Sequence, residues 1–324
     1  MARIYLAITI ATSAICILLY GLLSSNILQH EFYTKIQYFK KSSLSESDFP
    51  PNSVVEEQKL RFQTLEKSCR KLKLNKIIPK DDKGFMKFIS KTKLYFSDKY
   101  KLLACLIPKV GCTNFKKVLL VAEGLVNASD ATELSGDIHD IANLNLHLQT
   151  LSDVKEIKHR LNTYYKVIMV REPLHRMLSA YRNKFENSKN EFFKRMAKKL
   201  HEKYSNSSIP TDKSSPLLSF KEFATHVSST DDNNEHWQLF YRLCSPCAVK
   251  YDFIAKLETI SDDMPFIMNT IGMSNMTFPQ NYPPQKRTDD EKLETYFKEI
   301  PDLRGLLVKK YKYDSELFGY PLLF

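Results

Sequence analysis

The sequence predicts an α/β domain with a central parallel sheet flanked by helices, and three observations predict it. Two short apolar runs, KLLACLI (101–107) and YYKVIMV (164–170), each end at a turn and feed a helical pattern. Roughly 40 residues of crossover separate the two units, too long for a hairpin and suited to parallel neighbours joined through helices. The composition is that of a globular chain: 324 residues, 43% hydrophobic and 26% charged. That length buries a substantial core. Eight Gly and 14 Pro exclude collagen-like and linker-like chains, and six Cys are too sparse for a disulfide-built mini-fold.

Taken in order, Ile4 to Leu23 is a 20-residue stretch without a charge. About that length spans a bilayer. A cleaved signal would have a shorter apolar core and a small-x-small site, of which Ser24 and Ser25 are a poor version. The expectation is a retained membrane anchor at 4–23 behind a cytoplasmic tail at 1–3. Residues 24–60, with KKSSLSESDFPPNS, read as a stem. The body is then 61–324. It opens in a helix, because Leu60, Leu65, Cys69 and Leu72 recur at helical spacing. Sequons at Asn127, Asn206 and Asn275 suit a lumenal body, the plainer reading being unmodified surface Asn.

The first strand ends in PKVGCTN (108–114), followed by a helix to about Leu125. Unpaired amides at a helix start, together with its dipole, bind phosphate or sulfate. Lys109 adds an ammonium, Gly111 permits close backbone approach, and Thr113 and Asn114 add donors. The loop is not a Walker A motif, because G-x-x-x-x-G-K-[ST] is absent. An ordinary turn with a solvated Lys is the plain alternative.

The second strand ends in REP (171–173) and a helix carrying HRMLSAYRNKF (175–185). Arg171 offers paired donors and Ser179, two turns on, a hydroxyl, which together suit a second phosphate. Arg176 and Arg182 flank them. Two anion turns on adjacent strands suit a ligand with two separated phosphates.

The charge balance agrees. Lys plus Arg number 48 against 37 acids, a net +11. Residues 171–204 alone hold ten basic residues and four acidic ones. That stretch reads as an approach face for a polyanion, or as a solvated basic helix.

PKVGCTNFKKVLLV resembles the 5′-phosphosulfate-binding motif of Golgi carbohydrate sulfotransferases. VREPLHRMLSAYRNKF resembles their 3′-phosphate-binding motif, and EHWQLFYRLCSPCAVKYDFIAKLETISDD (235–263) resembles a third block of the same family. The similarity covers roughly 65–320, in the branch holding the chondroitin and dermatan 4-O-sulfotransferases and the HNK-1 sulfotransferase. Phe115 stands where Trp is common, and Leu174-His175 where Phe-Glu is common.

The resemblance implies a P-loop-like sulfotransferase fold, the donor 3′-phosphoadenosine-5′-phosphosulfate without a metal, and a type II Golgi membrane protein. It implies that Pro108, Lys109, Val110, Gly111, Cys112, Thr113 and Asn114 hold the 5′-phosphosulfate. It implies that Arg171, Glu172, Pro173, Leu174, His175, Arg176, Met177, Leu178 and Ser179 hold the 3′-phosphate, with Arg171 and Ser179 central. The acceptor it implies is a glycan, with a glycosaminoglycan favoured and the 4-O position of GalNAc as the finer expectation. HNK-1-type glucuronic acid and N-glycan GalNAc are the alternatives.

In-line transfer needs a cation at the leaving oxygen and a base for the sugar hydroxyl. Lys109 is expected in the first role. His139, between the two turns, and His236, in the third block, are expected candidates for the second, since His is tuned for it near neutral pH. The plain reading of either is an inert structural histidine. Glu235 and Asp140 are remoter candidates.

Cys244-Ser-Pro-Cys247 reads as a disulfide or buried thiols, since no second C-x-x-C exists to complete a zinc site. Cys112 is expected to be free. Trp237, Tyr241 and Tyr251 either pack the core or stack on sugars. A non-catalytic glycan-binding protein on the same fold and a lumenal kinase are the competing classes. The intact Lys109, Arg171 and Ser179 weigh against the first, and the missing Walker A loop against the second. The anchor and the sequons weigh against a nucleic-acid partner.

Overall fold

The computed structural model describes residues 52–75, 77–136, 138–186, 188, 190–205, 216–280 and 288–322. The expected anchor at 4–23 and Asn206 lie outside them. Among the described residues no helix is long and apolar enough to cross a membrane.

The chain opens with α1 (Asn52–Lys71), α2 (Asp82–Ile89), β1 (Leu94–Ser97) and β2 (Leu102–Cys105). The crossover follows as α3 (Cys112–Ala122), α4 (His139–Leu146) and α5 (Val154–Thr163), returning to β3 (Tyr165–Val170). Next come α6 (Pro173–Tyr181), a π-helical turn (Arg182–Glu186), α7 (Glu191–Tyr204), α8 (Phe220–Ser229) and α9 (Phe240–Cys244). The chain closes with β4 (Phe253–Lys256), α10 (Ile260–Thr270), α11 (Asp290–Lys298) and α12 (Pro301–Phe318).

The sheet order is β1-β2-β3-β4. β2 and β3 pair in parallel, with Leu102 opposite Tyr165, and β3 and β4 do the same, with Val167 opposite Phe253. β1 runs antiparallel to β2, so the sheet is mixed rather than wholly parallel. The departure is at an edge, where a tight turn from Ser97 to Leu102 makes a hairpin. β2 and β3 are buried along their whole length, which is why both read as unbroken apolar runs.

The body starts earlier than the sequence suggested, because the last residues of the expected 24–60 stem are helical and packed. Gln58 lies against β4, donating to Ile254 O and accepting from Ile254 N at 3.0 Å each. Its amide thus covers the sheet edge as a strand would. Arg61 donates to Ile254 O at 2.7 Å and to the buried carboxylate of Asp263 at 2.8 Å.

Disulfides join Cys69 to Cys247 and Cys105 to Cys244. The C-x-x-C pair is therefore not locally bridged. It fastens α1 and β2 to the 240s segment. Trp237 and Tyr251 are core residues, so the sugar-stacking reading of these two is set aside, while the partly buried Tyr241 packs on Tyr313.

Candidate active site

The first turn is shaped by two left-handed residues, Lys109 at φ 75° and Gly111 at φ 90°. For a non-Gly residue that conformation costs about 1–3 kcal/mol and is typical of ligand-binding turns. Gly111 caps α3 without a side-chain hydrogen bond, and a Cβ there would also meet Leu257 and Met169 at 3.4 and 3.5 Å. The first amides of α3 are thus presented at the C-terminal end of β2, beside β3, where ligands bind in open α/β sheets.

Lys109 is largely desolvated, and burial is the main reason its pKa is lowered to about 8, with Lys184, Arg171 and Arg182 adding repulsion. Its ammonium has no ion-pair partner among the described residues. Four cations from three segments therefore converge on one point, an arrangement that a multiply charged anion would relieve.

Arg171 stands at the end of β3 and binds the first turn directly. Its Nη1 donates to Lys109 O at 3.3 Å and its Nη2 to Thr288 O at 2.8 Å. Arg182 reaches Thr288 Oγ1 at 3.3 Å, so Thr288, which the sequence did not mark, organises both guanidiniums. The half-buried Ser179 hydroxyl makes no hydrogen bond to a described residue and is available as a donor.

Other members of the two motifs are structural. Arg176 is fully buried and donates to Pro108 O at 3.1 Å, Gln238 O at 2.8 Å and Glu235 O at 2.6 Å. It is corrected from phosphate ligand to fastener, holding the first turn to the 235–238 segment. Glu172 caps α6 by accepting from His175 N at 2.6 Å, and its own amide donates to Glu258. Pro173 occupies the first turn of α6. The Val110, Leu174, Met177 and Leu178 side chains are in the core, so they position backbone rather than contact a ligand. His175 lies between Glu172 and Asp290, at 3.2 and 3.1 Å. Asn114 donates to Pro279 O. Cys112 is a buried free thiol, as expected.

Of the two histidines, His139 bonds to this turn, and His236 lies close enough to feel the charge of Lys109. His139, at the start of α4, places Nε2 3.2 Å from Thr113 Oγ1 and Nδ1 3.3 Å from Lys116 Nζ. Lys116 is buried and also donates to Tyr95 OH at 2.8 Å and Asn143 Oδ1 at 2.9 Å. An ammonium only donates, so His139 Nδ1 is the acceptor and Nε2 carries the proton.

His236 packs edge-on against Phe193, with ring centroids 5.3 Å apart. Asn234 Oδ1 accepts from both the His236 amide, at 3.1 Å, and the ring Nδ1, at 2.9 Å. This network assigns the proton to Nδ1 and leaves Nε2 with an open lone pair. Burial, and then the charges of Lys184, Lys109, Arg176 and His139, push the His236 pKa down to about 2. It is therefore neutral at physiological pH. Glu235 pairs with Lys93 at 2.6 Å, and Asp140 is exposed. Asn127 and Asn275 are both exposed. Among the described residues no group of three or more His, Cys, Asp or Glu is arranged to hold a metal ion.

Comparison with known proteins adds a family to this geometry. Residues 92–321 match the sulfotransferase family. The chain is 34% identical to carbohydrate sulfotransferase 11 of Rattus norvegicus over 238 residues, 70% of this chain and 66% of the relative. It is 32% identical to carbohydrate sulfotransferase 14 of Danio rerio over 301 residues, 89% of this chain and 77% of the relative. It is 32% identical to carbohydrate sulfotransferase 9 of Homo sapiens over 244 residues, 72% of this chain and 54% of the relative. The chain thus spans about half to three quarters of the curated relatives it matches. No solved structure matches it.

Proposed function

The chain belongs to the sulfotransferase family, and from that premise we propose that it transfers a sulfuryl group from 3′-phosphoadenosine-5′-phosphosulfate to a glycan hydroxyl. The observation that carries this reading is the Lys109 ammonium, desolvated beside Arg171, Arg182 and Lys184. A site that gathers four cations and gives Lys109 no acidic partner among the described residues is built for a strongly anionic ligand.

The donor supplies the sulfuryl group on a phosphate leaving group. Lys109 and the first amides of α3 would hold the 5′-phosphosulfate, and Arg171 and Ser179 the 3′-phosphate. Lys109 neutralises charge developing on the bridging oxygen as the sulfur–oxygen bond breaks. On the opposite side of sulfur the acceptor oxygen forms the new bond, and its proton passes to a histidine. His236 takes this role, because its Nε2 lone pair is open. His139 acts as a positioning residue, holding Thr113 and the turn through an Nε2–H. Filling the anion site offsets the positive charge of Lys109, one of the cations that, after burial, hold the His236 pKa down.

The acceptor is proposed as a glycosaminoglycan, with the 4-O position of GalNAc in chondroitin or dermatan favoured by the motif resemblance and the basic 171–204 stretch. The apolar 4–23 segment and the exposed sequons at Asn127 and Asn275 support a type II Golgi membrane protein with a lumenal body. Transfer of labelled sulfate to desulfated chondroitin, dermatan, heparan, glucuronyl glycans and N-glycans ending in GalNAc tests the reading. Label in GalNAc 4-O-sulfate is expected. Label in glucuronic acid or N-glycan GalNAc would replace the acceptor, and no label in any glycan would overturn the transferase.

A further inference from the structure

Beside the site lies a cleft of about 170 Å³ between the π-helical turn and α7, its lining including Lys184, Ser188, Phe193 and Lys194. Its wall is shared with the reaction centre. The Phe193 ring that meets His236 on one side carries Lys184 Nζ over it at 4.8 Å. Phe192, the neighbour of the lining residue Phe193 where α7 starts at the rim of the cleft, is 54% exposed and stands edge-on to Phe193, with ring centroids 5.2 Å apart. Arg195, Lys198, Lys199 and Lys203 continue along α7, all exposed.

An exposed aromatic alone is ordinary. Here one is coupled ring to ring to the base, at the head of a cationic helix. We infer that this rim is the acceptor subsite: Phe192 stacks on the C–H face of a pyranose, while Lys194 and its neighbours hold the carboxylate or sulfate groups of adjoining residues. The inference rests on the transferase reading and names where its polymer lies. The acids nearby do not oppose it. Glu186 accepts from Tyr296 OH and pairs with Arg182, and Glu191 makes an exposed pair with Lys194 at 2.8 Å, weak enough to yield to a polyanion.

The test uses the full chain carrying Phe192→Ala or Lys194→Glu, neither of which touches the donor site. Each is expected to raise the KM for chondroitin polymer about three- to tenfold, the scale of one stacking or surface-charge contact. The donor KM and kcat should stay unchanged, and carboxyl-reduced chondroitin should lose the Lys194 effect. Unchanged polymer KM in both variants, or an equal rise in donor KM, would overturn the subsite. If wild-type chain sulfated no glycan, the transferase reading would fail. Direct titration of chondroitin chains against wild type and both variants would still decide the rim, equal affinity counting against it.

Discussion

Arg171 Nη1 donates to the main-chain oxygen of Lys109, 62 residues earlier in the chain, at 3.3 Å. The guanidinium that the sequence assigned to one phosphate is thereby fixed to the turn assigned to the other. Arg171→Ala should weaken binding of 3′-phosphoadenosine-5′-phosphate about ten- to a hundredfold, the loss of one charged hydrogen-bonding group. Ser179→Ala, which removes a hydroxyl with no hydrogen-bond partner among the described residues, should cost less. Calorimetric titration of both variants checks the order, and a larger loss from Ser179→Ala would contradict it.

Lys109 gives the site a pH dependence. Its pKa is lowered to about 8, so the ammonium is present below that pH and lost above it. Only the charged form attracts the nucleotide, and bound anion raises the pKa again. Affinity for 3′-phosphoadenosine-5′-phosphate should be flat below about pH 8 and then weaken by up to about tenfold per pH unit. Lys109→Arg stays charged and should abolish the decline. An affinity that grows with pH would show that the neutral amine is the binding form.

The histidines should separate in kinetics. His236→Ala removes the base and should lower kcat about 10²- to 10⁴-fold with little change in nucleotide affinity. His139→Ala removes the support of Thr113 and should weaken nucleotide binding more than it lowers kcat. Single-turnover rates alongside equilibrium titration distinguish these outcomes. Full kcat retained in His236→Ala would transfer the role to His139.

The β2 and β3 strands and their turns were legible because strands buried on both faces leave unbroken apolar runs. β1 and β4 were not, because their apolar runs are cut short by Ser97 and Lys256, whereas the run holding β2 continues to Ile107, and each takes its pairing from the sheet it joins. The role of Arg176 was equally hidden: an Arg on a helix reads as a charge, and only the fold shows three carbonyls around it. The same holds for Cys244 and Cys247. Their close spacing suggested a local bridge, while their partners lie 139 and 178 residues away. Lys116 could have been suspected, since it follows Thr113 by three positions on one helical face, but its contact with His139 is tertiary.

The packed start of α1 predicts where the body can be shortened. Arg61 is nearly inaccessible and pairs with Asp263, which is itself buried. Arg61→Ala strands a carboxylate in the interior and should cost about 3–5 kcal/mol. Chemical denaturation reads this directly. A chain beginning at residue 61 should also be destabilised, since it loses Gln58 and exposes the β4 edge. Stability equal to that of the full body would restore the stem boundary to 60.

Cys112 offers a label inside the site itself. It is the one free thiol among the described residues and is 6% exposed, on the first turn of α3. The disulfide-bonded cysteines cannot react without reduction, and a buried thiol reacts only when the surrounding structure opens. Alkylation of Cys112 therefore reports opening of the phosphosulfate turn. Binding to the native state suppresses that opening by mass action, so 3′-phosphoadenosine-5′-phosphate at about 100 times its Kd should slow the reaction about a hundredfold. Mapping by mass spectrometry with and without nucleotide checks this. Equal rates would mean that Cys112 is reached by a route that leaves the turn closed, and the nucleotide would then have to be placed elsewhere than on α3.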